Sequence, residues 1–175
     1  MTFEGGALAI LIAKEDIREL AMLYSRAVDR RDIALLETLY TSDATDNHGE
    51  YYNGPASGFI EFVGSSIPST PYTGHHICNH LIYVDGDEGE GEVYAIALHI
   101  LPDGQGGYLE YNLAVRYLDH YRKEAGRWLF ASRTVTFDMS VTRPIAAPET
   151  TIVKPGQDVS YSVLTSRLFA FGPRR

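Results

Sequence analysis

The 175-residue chain has one cysteine, one tryptophan, no run of lysine or arginine, and no long hydrophobic stretch. Its lone cysteine, Cys78, excludes an intrachain disulfide. The apolar run "ALAILIA" at residues 7–13 is far too short to span a membrane, and Glu4 precedes it where a signal peptide would have lysines. A net charge of −8 would repel a phosphate backbone, so no nucleic-acid partner is expected. We expect a cytoplasmic protein that binds no membrane.

The order of the sequence patterns predicts helices first and strands afterwards. Apolar residues recur at intervals of three and four over residues 10–28, as in an amphipathic helix. Asp32 is positioned to cap a second, shorter helix, and Pro55 to begin a third. After Thr73 the apolar period changes to two, which predicts strands near residues 75–84, 92–101, 109–123 and 127–140. The pattern predicts an α+β fold with helices on one face of a curved antiparallel sheet.

The end of the chain differs from the rest. Residues 141–175 contain "RPIAAPETTIVKPGQ", which has three prolines and no clear period, and we predict an extended arm after a domain over residues 1–140. The following segment, "VSYSVLTSRLFAFG", is apolar enough to need covering, either by its own domain or by a neighbouring subunit. We expect the neighbouring subunit, and therefore a homo-oligomer.

Three of the six histidines lie with the cysteine in "TGHHICNHLIYVDGD", residues 73–87. In an unbroken strand His75 shares one face with Asn79, whereas His76, Cys78 and His80 share the other. The second set has none of the usual metal-ligand spacings, so packing or a surface position is favoured over a metal site. No metal and no cofactor are predicted.

Asp29 comes at the end of the predicted first helix, where the helix dipole disfavours a carboxylate unless a partner stabilises it. The partner is either an arginine, Arg30 or Arg31, at a solvated helix end, or a histidine ring whose Nδ1–H the carboxylate accepts. The second alternative places Asp29 inside the concave sheet.

Three further residues have both a structural and a functional interpretation. Tyr24 lies on the apolar stripe and either packs in the core or offers its hydroxyl to a ligand. His99 ends the strand "VYAIALH", whose small residues would leave room for a ligand. Arg133 is flanked by apolar residues, so it either pairs with a carboxylate or stabilises an anion.

The segments "YSRAVDRRDIALLETLYTSDATDNHGEYYNG", "HHICNHLIYVDGD" and "VRYLDHYRKEAGRWLFASRTVTFD" resemble the SnoaL-like family of the nuclear transport factor 2-like superfamily. The resemblance covers about residues 10–140. It implies a cystatin-like α+β cone, in which the sheet wraps around the helices and encloses a deep, mostly apolar pocket. Members of the family include dehydratases and a dehydrochlorinase, and family members form trimers or dimers. A trimer is therefore expected before a dimer.

The resemblance also assigns roles to residues. It implies a catalytic histidine at His75, in the frame "HxxxN", oriented by Asp29. Tyr24 matches a tyrosine of a dehydratase in the family at a position where the dehydrochlorinase has lysine, and His99 falls close to a second pocket histidine. The residues expected to bind substrate are Asn79, Arg133 and Tyr52.

These observations predict a cofactor-independent lyase or isomerase, dehydratase-like, that acts on a hydrophobic ring or polycyclic molecule. His75 would be the general base. The alternative is a non-catalytic ligand-binding or structural subunit, similar to the small subunits of aromatic-ring dioxygenases, which share the cone. An enzyme requires the His75 ring within about 3.2 Å of an Asp29 oxygen at an enclosed pocket, whereas pairing of Asp29 with Arg30 or Arg31 would contradict it.

Overall fold

The computed structural model describes residues 3–147 and 154–174. The helices are α1 (Phe3–Asp29), α2 (Ile33–Glu37), α3 (Ala56–Ser66) and α4 (Ser160–Val163), with single 3₁₀ turns at Ile67–Ser69 and Arg167–Phe169. The strands are β1 (Tyr40–Asn47), β2 (Asn53–Pro55), β3 (Tyr72–Asp85), β4 (Glu88–Pro102), β5 (Tyr108–Glu124) and β6 (Arg127–Ile145). Within the described ranges, no helix is both long and apolar enough to cross a membrane.

The six strands form one sheet in the order β2-β1-β6-β5-β4-β3. Strands β3 to β6 are antiparallel neighbours in chain order, whereas β1 runs parallel to β6. Register shifts in the β3–β4 and β5–β6 pairs each insert an extra residue, and such bulges bend and twist a sheet. Helix α1 packs against β3 and β6, and α3 packs against β1. The predicted α+β fold with helices packed on a curved sheet is confirmed.

Helix α1 supplies much of the core. Its predicted apolar stripe is buried from Ala13 to Tyr24, and Ile17 and Ala21 have no exposed surface. Ile10 is 45 % exposed, so the buried face begins one turn later than the pattern predicts. The side chain of Asp32 accepts a hydrogen bond from the Leu35 N–H at 3.0 Å, which confirms the predicted cap of α2.

The core has two parts. One lies between the helices and one end of the sheet and contains Ile17, Tyr24 and Phe130. The other consists of side chains from β4, β5 and β6 alone, among them the small residues Ala95 and Ala97. Because alanines fill little space, the second part of the core leaves room between the sheet and the helices.

Strand β3 does not keep the parity that an unbroken strand would have. Ile77 pairs with Ala95 and His80 with Val93, so two residues of β3 face a single residue of β4. This bulge reverses the alternation, and His80 points to the same side as His75 while Asn79 is exposed. The predicted grouping of His75 with Asn79 is therefore wrong.

The described part of the arm packs on its own chain. Arg26 of α1 donates hydrogen bonds to the Ser160 Oγ at 3.0 Å and to the Phe169 carbonyl at 3.1 Å. The Gly172 N–H donates to Asp32 at 2.9 Å. These contacts hold the described arm against its own domain, but apolar side chains of the segment such as Val159 and Val163 stay exposed.

Strand β6 extends beyond residue 140, the predicted domain boundary. Residues up to Ile145 pair with β5, so the arm begins five or more residues later than the sequence predicts. Residues 148–153, which belong to the predicted arm, lie outside the described residues. Packing of the arm on a neighbouring subunit stays a prediction.

Candidate active site

The C-terminal end of α1 fixes the direction of Asp29. Arg31 adopts a left-handed backbone conformation, φ 58°, and the N–H groups of residues 31 and 32 close the helix on carbonyls of its last turn. That conformation costs a non-glycine residue about 1–2 kcal/mol. The Arg31 side chain is 4 % exposed and donates to the carbonyls of Ile67 and Thr70, which ties the helix end to the segment before β3.

Asp29 makes two hydrogen bonds to one residue of β3, His75. One carboxylate oxygen accepts from the ring Nδ1 at 2.7 Å, and the other accepts from the backbone N–H at 2.9 Å. Arg30 instead pairs with Asp158 at 3.1 Å, so Asp29 is not the carboxylate of a solvated arginine pair. Because a carboxylate only accepts, the neutral form of the ring carries its proton on Nδ1 and its lone pair on Nε2. The distance between His75 and Asp29 that the sequence analysis required for an enzyme is present.

The His75 side chain, 8 % exposed, lines a cavity of about 360 Å³ between the helices and the sheet. Val28 and Phe59 contribute from the helices, and Ala97, directly opposite His75 in the sheet, contributes from β4. A mostly apolar cavity of this size with a few polar groups is typical of small-molecule sites. The arrangement can hold a bicyclic or similar ring compound beside a basic nitrogen.

Tyr24 and His99 line the same cavity. The ring centroid of His99 lies 5.5 Å from that of His75, with the two rings perpendicular. Burial, with the neighbouring His75 ring, lowers the pKa of His99 to about 4, so His99 is neutral at pH 7. Burial also raises the pKa of Tyr24 well above its usual value, although the Arg133 guanidinium offsets part of that rise. Both groups can therefore act as neutral hydrogen-bonding partners of a ligand.

A second histidine–carboxylate pair faces this cavity, and the sequence analysis did not single it out. His48, just after β1, lines the cavity, and its Nδ1 is hydrogen-bonded to Asp46, which has no exposed surface. The other Asp46 oxygen accepts from the Tyr40 hydroxyl at 2.9 Å. The spacing Asp46-x-His48 on a strand places both side chains on one face, and this signal could have identified the pair.

Arg133 is fully inside the core and not at the cavity wall. It is 1 % exposed and forms two parallel hydrogen bonds of 2.8 Å to the Asp119 carboxylate. Its guanidinium also lies 4.1 Å from the centroid of the Tyr24 ring. The predicted substrate-binding role of Arg133 is corrected to a structural one, because a buried arginine requires this carboxylate partner.

Two more predicted substrate-binding residues lie away from the cavity. Tyr52 packs its ring on Phe59 and donates its hydroxyl to the Pro55 carbonyl at 2.6 Å. Its neighbour Tyr51 lines the cavity instead, hydrogen-bonded to the Tyr111 hydroxyl at 3.0 Å. Asn79 is exposed because of the bulge in β3.

The three residues considered as metal ligands do not converge. His76 and Cys78 are exposed, whereas the His80 ring lies inside and its Nε2 is 3.1 Å from the Tyr121 hydroxyl. Among residues 3–147 and 154–174, no group of three histidine, cysteine, aspartate or glutamate side chains is arranged to hold a metal ion.

The family model of the SnoaL-like domain matches residues 9–134. The chain belongs to the SnoaL-like family. This match covers all strands of the cone except the end of β6, and it includes both histidine–carboxylate pairs. A comparison with curated protein sequences gave no match.

Solved structures share the SnoaL-like cone of this chain. A candidate scytalone dehydratase from Novosphingobium aromaticivorans superposes with a TM-score of 0.68 at 19 % identity, covering 81 % of this chain and 95 % of that one. The hexachlorocyclohexane dehydrochlorinase LinA-type3 from Novosphingobium barchaimii gives 0.65 at 21 %, covering 81 % and 95 %. Rv3472 from Mycobacterium tuberculosis, a protein of unknown function, gives 0.62 at 18 %, covering 91 % and 83 %. At these identities the likeness establishes the fold alone, and the predicted cone is confirmed.

Proposed function

We propose that this SnoaL-like protein is a cofactor-independent lyase or isomerase that acts on a hydrophobic ring or polycyclic molecule, with dehydration as the preferred reaction. The observation that carries the proposal is the double hydrogen bond from His75 to Asp29 at the wall of an apolar cavity. It supports a ring that is held in one orientation and one tautomer, with the lone pair of Nε2 available to a substrate.

His75 removes a proton from a carbon next to a carbonyl or another activating group, and Asp29 stabilises the imidazolium that forms. A positioned base of this kind contributes about 10²–10⁴-fold to a rate. Neutral His99 supplies a hydrogen bond to the oxygen on which negative charge develops; its Nδ1 is buried and has no protein partner among the described residues.

The test uses α-tetralone, a bicyclic ketone with acidic protons next to its carbonyl, and follows exchange of these protons in D₂O by ¹H NMR. The wild-type protein should accelerate exchange above the buffer rate. His75→Gln should reduce that acceleration by about 10²-fold or more, because glutamine has no basic nitrogen.

The matched control is His76→Gln, which replaces the next residue, an exposed histidine outside the cavity. This variant should exchange α-tetralone at the wild-type rate. Equal rates for wild type and His75→Gln would contradict the proposal and favour the alternative, a non-catalytic ligand-binding or structural subunit.

A further inference from the structure

The two histidine–carboxylate pairs reach the cavity from strands that are not neighbours in the sheet. Strands β6, β5 and β4 separate β1, which carries Asp46, from β3, which carries His75. Tyr24 of α1 lies between the pairs, since its hydroxyl is 3.5 Å from His48 Nε2 and its ring is edge-on to His75 at 6.5 Å between centroids. A ligand in the cavity can therefore contact both histidines.

The Asp46–His48 pair is as well supported as the first pair. Asp46 is fully buried, and its two oxygens are used by the His48 Nδ1–H and the Tyr40 hydroxyl. The His48 ring is stacked on Phe59, with centroids 4.2 Å apart and planes 15° apart, which fixes its plane. A buried carboxylate behind a stacked imidazole directs Nε2 towards Tyr24 and the cavity.

We propose that His48 is the general acid that protonates the leaving oxygen of the substrate, with Asp46 as its positioning residue. The inference rests on the proposed function of His75. It assigns the substrate to ring compounds that carry a hydroxyl group on the carbon next to the one that loses its proton.

The electron pair of the C–H bond becomes the new C=C bond when the proton moves to His75 Nε2. The C–O bond breaks with its electron pair on oxygen; that oxygen takes the Nε2 proton of the His48 imidazolium, whose Nδ1–H stays on Asp46, and leaves as water. His75 ends with one proton more and His48 with one fewer, and solvent restores both.

The other polar groups of the cavity are poor donors for this step. His99 is neutral, since burial lowers its pKa to about 4, and it has no proton to release as an imidazolium. Burial raises the pKa of Tyr24 well above its usual value, so release of the Tyr24 proton is costly. Tyr24 therefore orients the ring of His48 and the leaving oxygen by hydrogen bonds.

The test compares two leaving groups on one skeleton. The probes are 3-hydroxy-1-tetralone and 3-chloro-1-tetralone, both of which give 1-naphthol, with loss of water or of HCl. Hydroxide must be protonated to leave, whereas chloride leaves unaided. The measured quantity is the rate of water loss from the hydroxy probe divided by the rate of HCl loss from the chloro probe. Each rate is taken after subtraction of the uncatalysed reaction.

His48→Gln should lower this ratio by about 10²-fold. His120→Gln, which replaces an exposed histidine of β5 outside the cavity, should leave it unchanged. An unchanged ratio in His48→Gln would overturn the inference, as would a wild-type protein that exchanges α-tetralone protons but does not dehydrate the hydroxy probe. A wild-type protein that fails to exchange α-tetralone would instead contradict the proposed function, and this inference with it.

Asp46→Asn provides a readout that does not depend on activity. ¹⁵N NMR of the histidine rings should show both nitrogens of His48 protonated in the wild type. In the variant no carboxylate balances the charge of the ring, so His48 should lose one proton at the same pH, and the rate ratio should fall with it. A variant that keeps both protons on His48 and an unchanged ratio would overturn the role of Asp46.

Discussion

Asp29 and His75 are 46 residues apart in the chain, and each oxygen of the Asp29 carboxylate accepts a hydrogen bond from His75, one from the ring and one from the backbone. The backbone bond fixes the carboxylate on β3, and the ring bond then fixes the imidazole on the carboxylate. The orientation of the His75 ring therefore depends on both α1, which ends at Asp29, and β3, which carries His75.

Asp29→Asn should therefore lower α-tetralone exchange by about 10²-fold, within the range that a positioned base contributes. Asparagine has only one acceptor oxygen, whereas the ring N–H and the backbone N–H of His75 each need an acceptor. One of these two donors therefore loses its partner. The matched control, Asp158→Asn, removes a carboxylate that pairs with Arg30 away from the cavity and should keep wild-type exchange. Full activity of Asp29→Asn would contradict the positioning role.

Arg133→Met should destabilise the protein by about 3–5 kcal/mol, because it leaves the Asp119 carboxylate buried without a counter-charge. Urea denaturation followed by circular dichroism measures the change. Arg116→Met, which breaks a pair with the exposed Asp138, should have a much smaller effect. If Arg133→Met had wild-type stability, the structural role that replaces the predicted substrate contact would be wrong.

The stability of the protein should decrease as the pH falls from 6.5 to about 4. Burial lowers the pKa of His99 and that of His80 to about 4 from the ordinary 6.5, so in this window the unfolded chain binds protons that the folded chain does not. The free energy of unfolding therefore rises with pH across the window.

Urea denaturation at several pH values tests this dependence. His99→Gln should reduce the slope by at most about 1.4 kcal/mol per pH unit, the contribution of one proton. Addition of His80→Gln should reduce it further. A slope that is the same in wild type and both variants would show that neither histidine carries the dependence.

Arg26→Ala should loosen the arm. Arg26 holds Ser160 and Phe169 by hydrogen bonds and lies 5.0 Å from the centroid of the Tyr161 ring. Hydrogen–deuterium exchange should therefore become faster in residues 158–171. The control is Arg18→Ala, which removes a surface pair with Glu15. Unchanged exchange of the arm in Arg26→Ala would contradict the role of these contacts.

The oligomeric state and the cytoplasmic location stay predictions. We expect a homo-oligomer, a trimer before a dimer, and light scattering of the full chain measures its mass. The described arm residues contact their own α1, and apolar side chains such as Val159 and Val163 stay exposed on the arm. A monomer at all concentrations would contradict the expected assembly.

Local patterns predicted much of the fold. The spacing of apolar residues over 10–28 indicated α1, which begins seven residues earlier at Phe3, and the change of period gave the long strands, since burial on one face imposes these periods. Asp29 and His75 could be paired only through the family resemblance, because nothing near either residue specifies a contact over 46 positions.

The remaining site residues depend on features that local patterns do not contain. The bulge after Ile77 reverses the alternation of β3, so Asn79 is exposed and His80 is inside. Tyr51 lines the cavity and its neighbour Tyr52 does not, and local sequence does not distinguish two adjacent tyrosines. The burial of Arg133 depends on Asp119 on the neighbouring strand, which pattern analysis of β6 alone cannot identify.

The most direct test of the central claim is the tautomer of His75, measured by ¹⁵N NMR of the histidine ring nitrogens in the wild type and in Asp29→Asn. The claim is that Asp29 holds the proton of the neutral ring on Nδ1 and so presents a basic Nε2 to the cavity. The account predicts a protonated Nδ1 and an unprotonated Nε2 in the wild type, and loss of this preference in Asp29→Asn. A neutral His75 ring that is protonated at Nε2 in the wild type would contradict it.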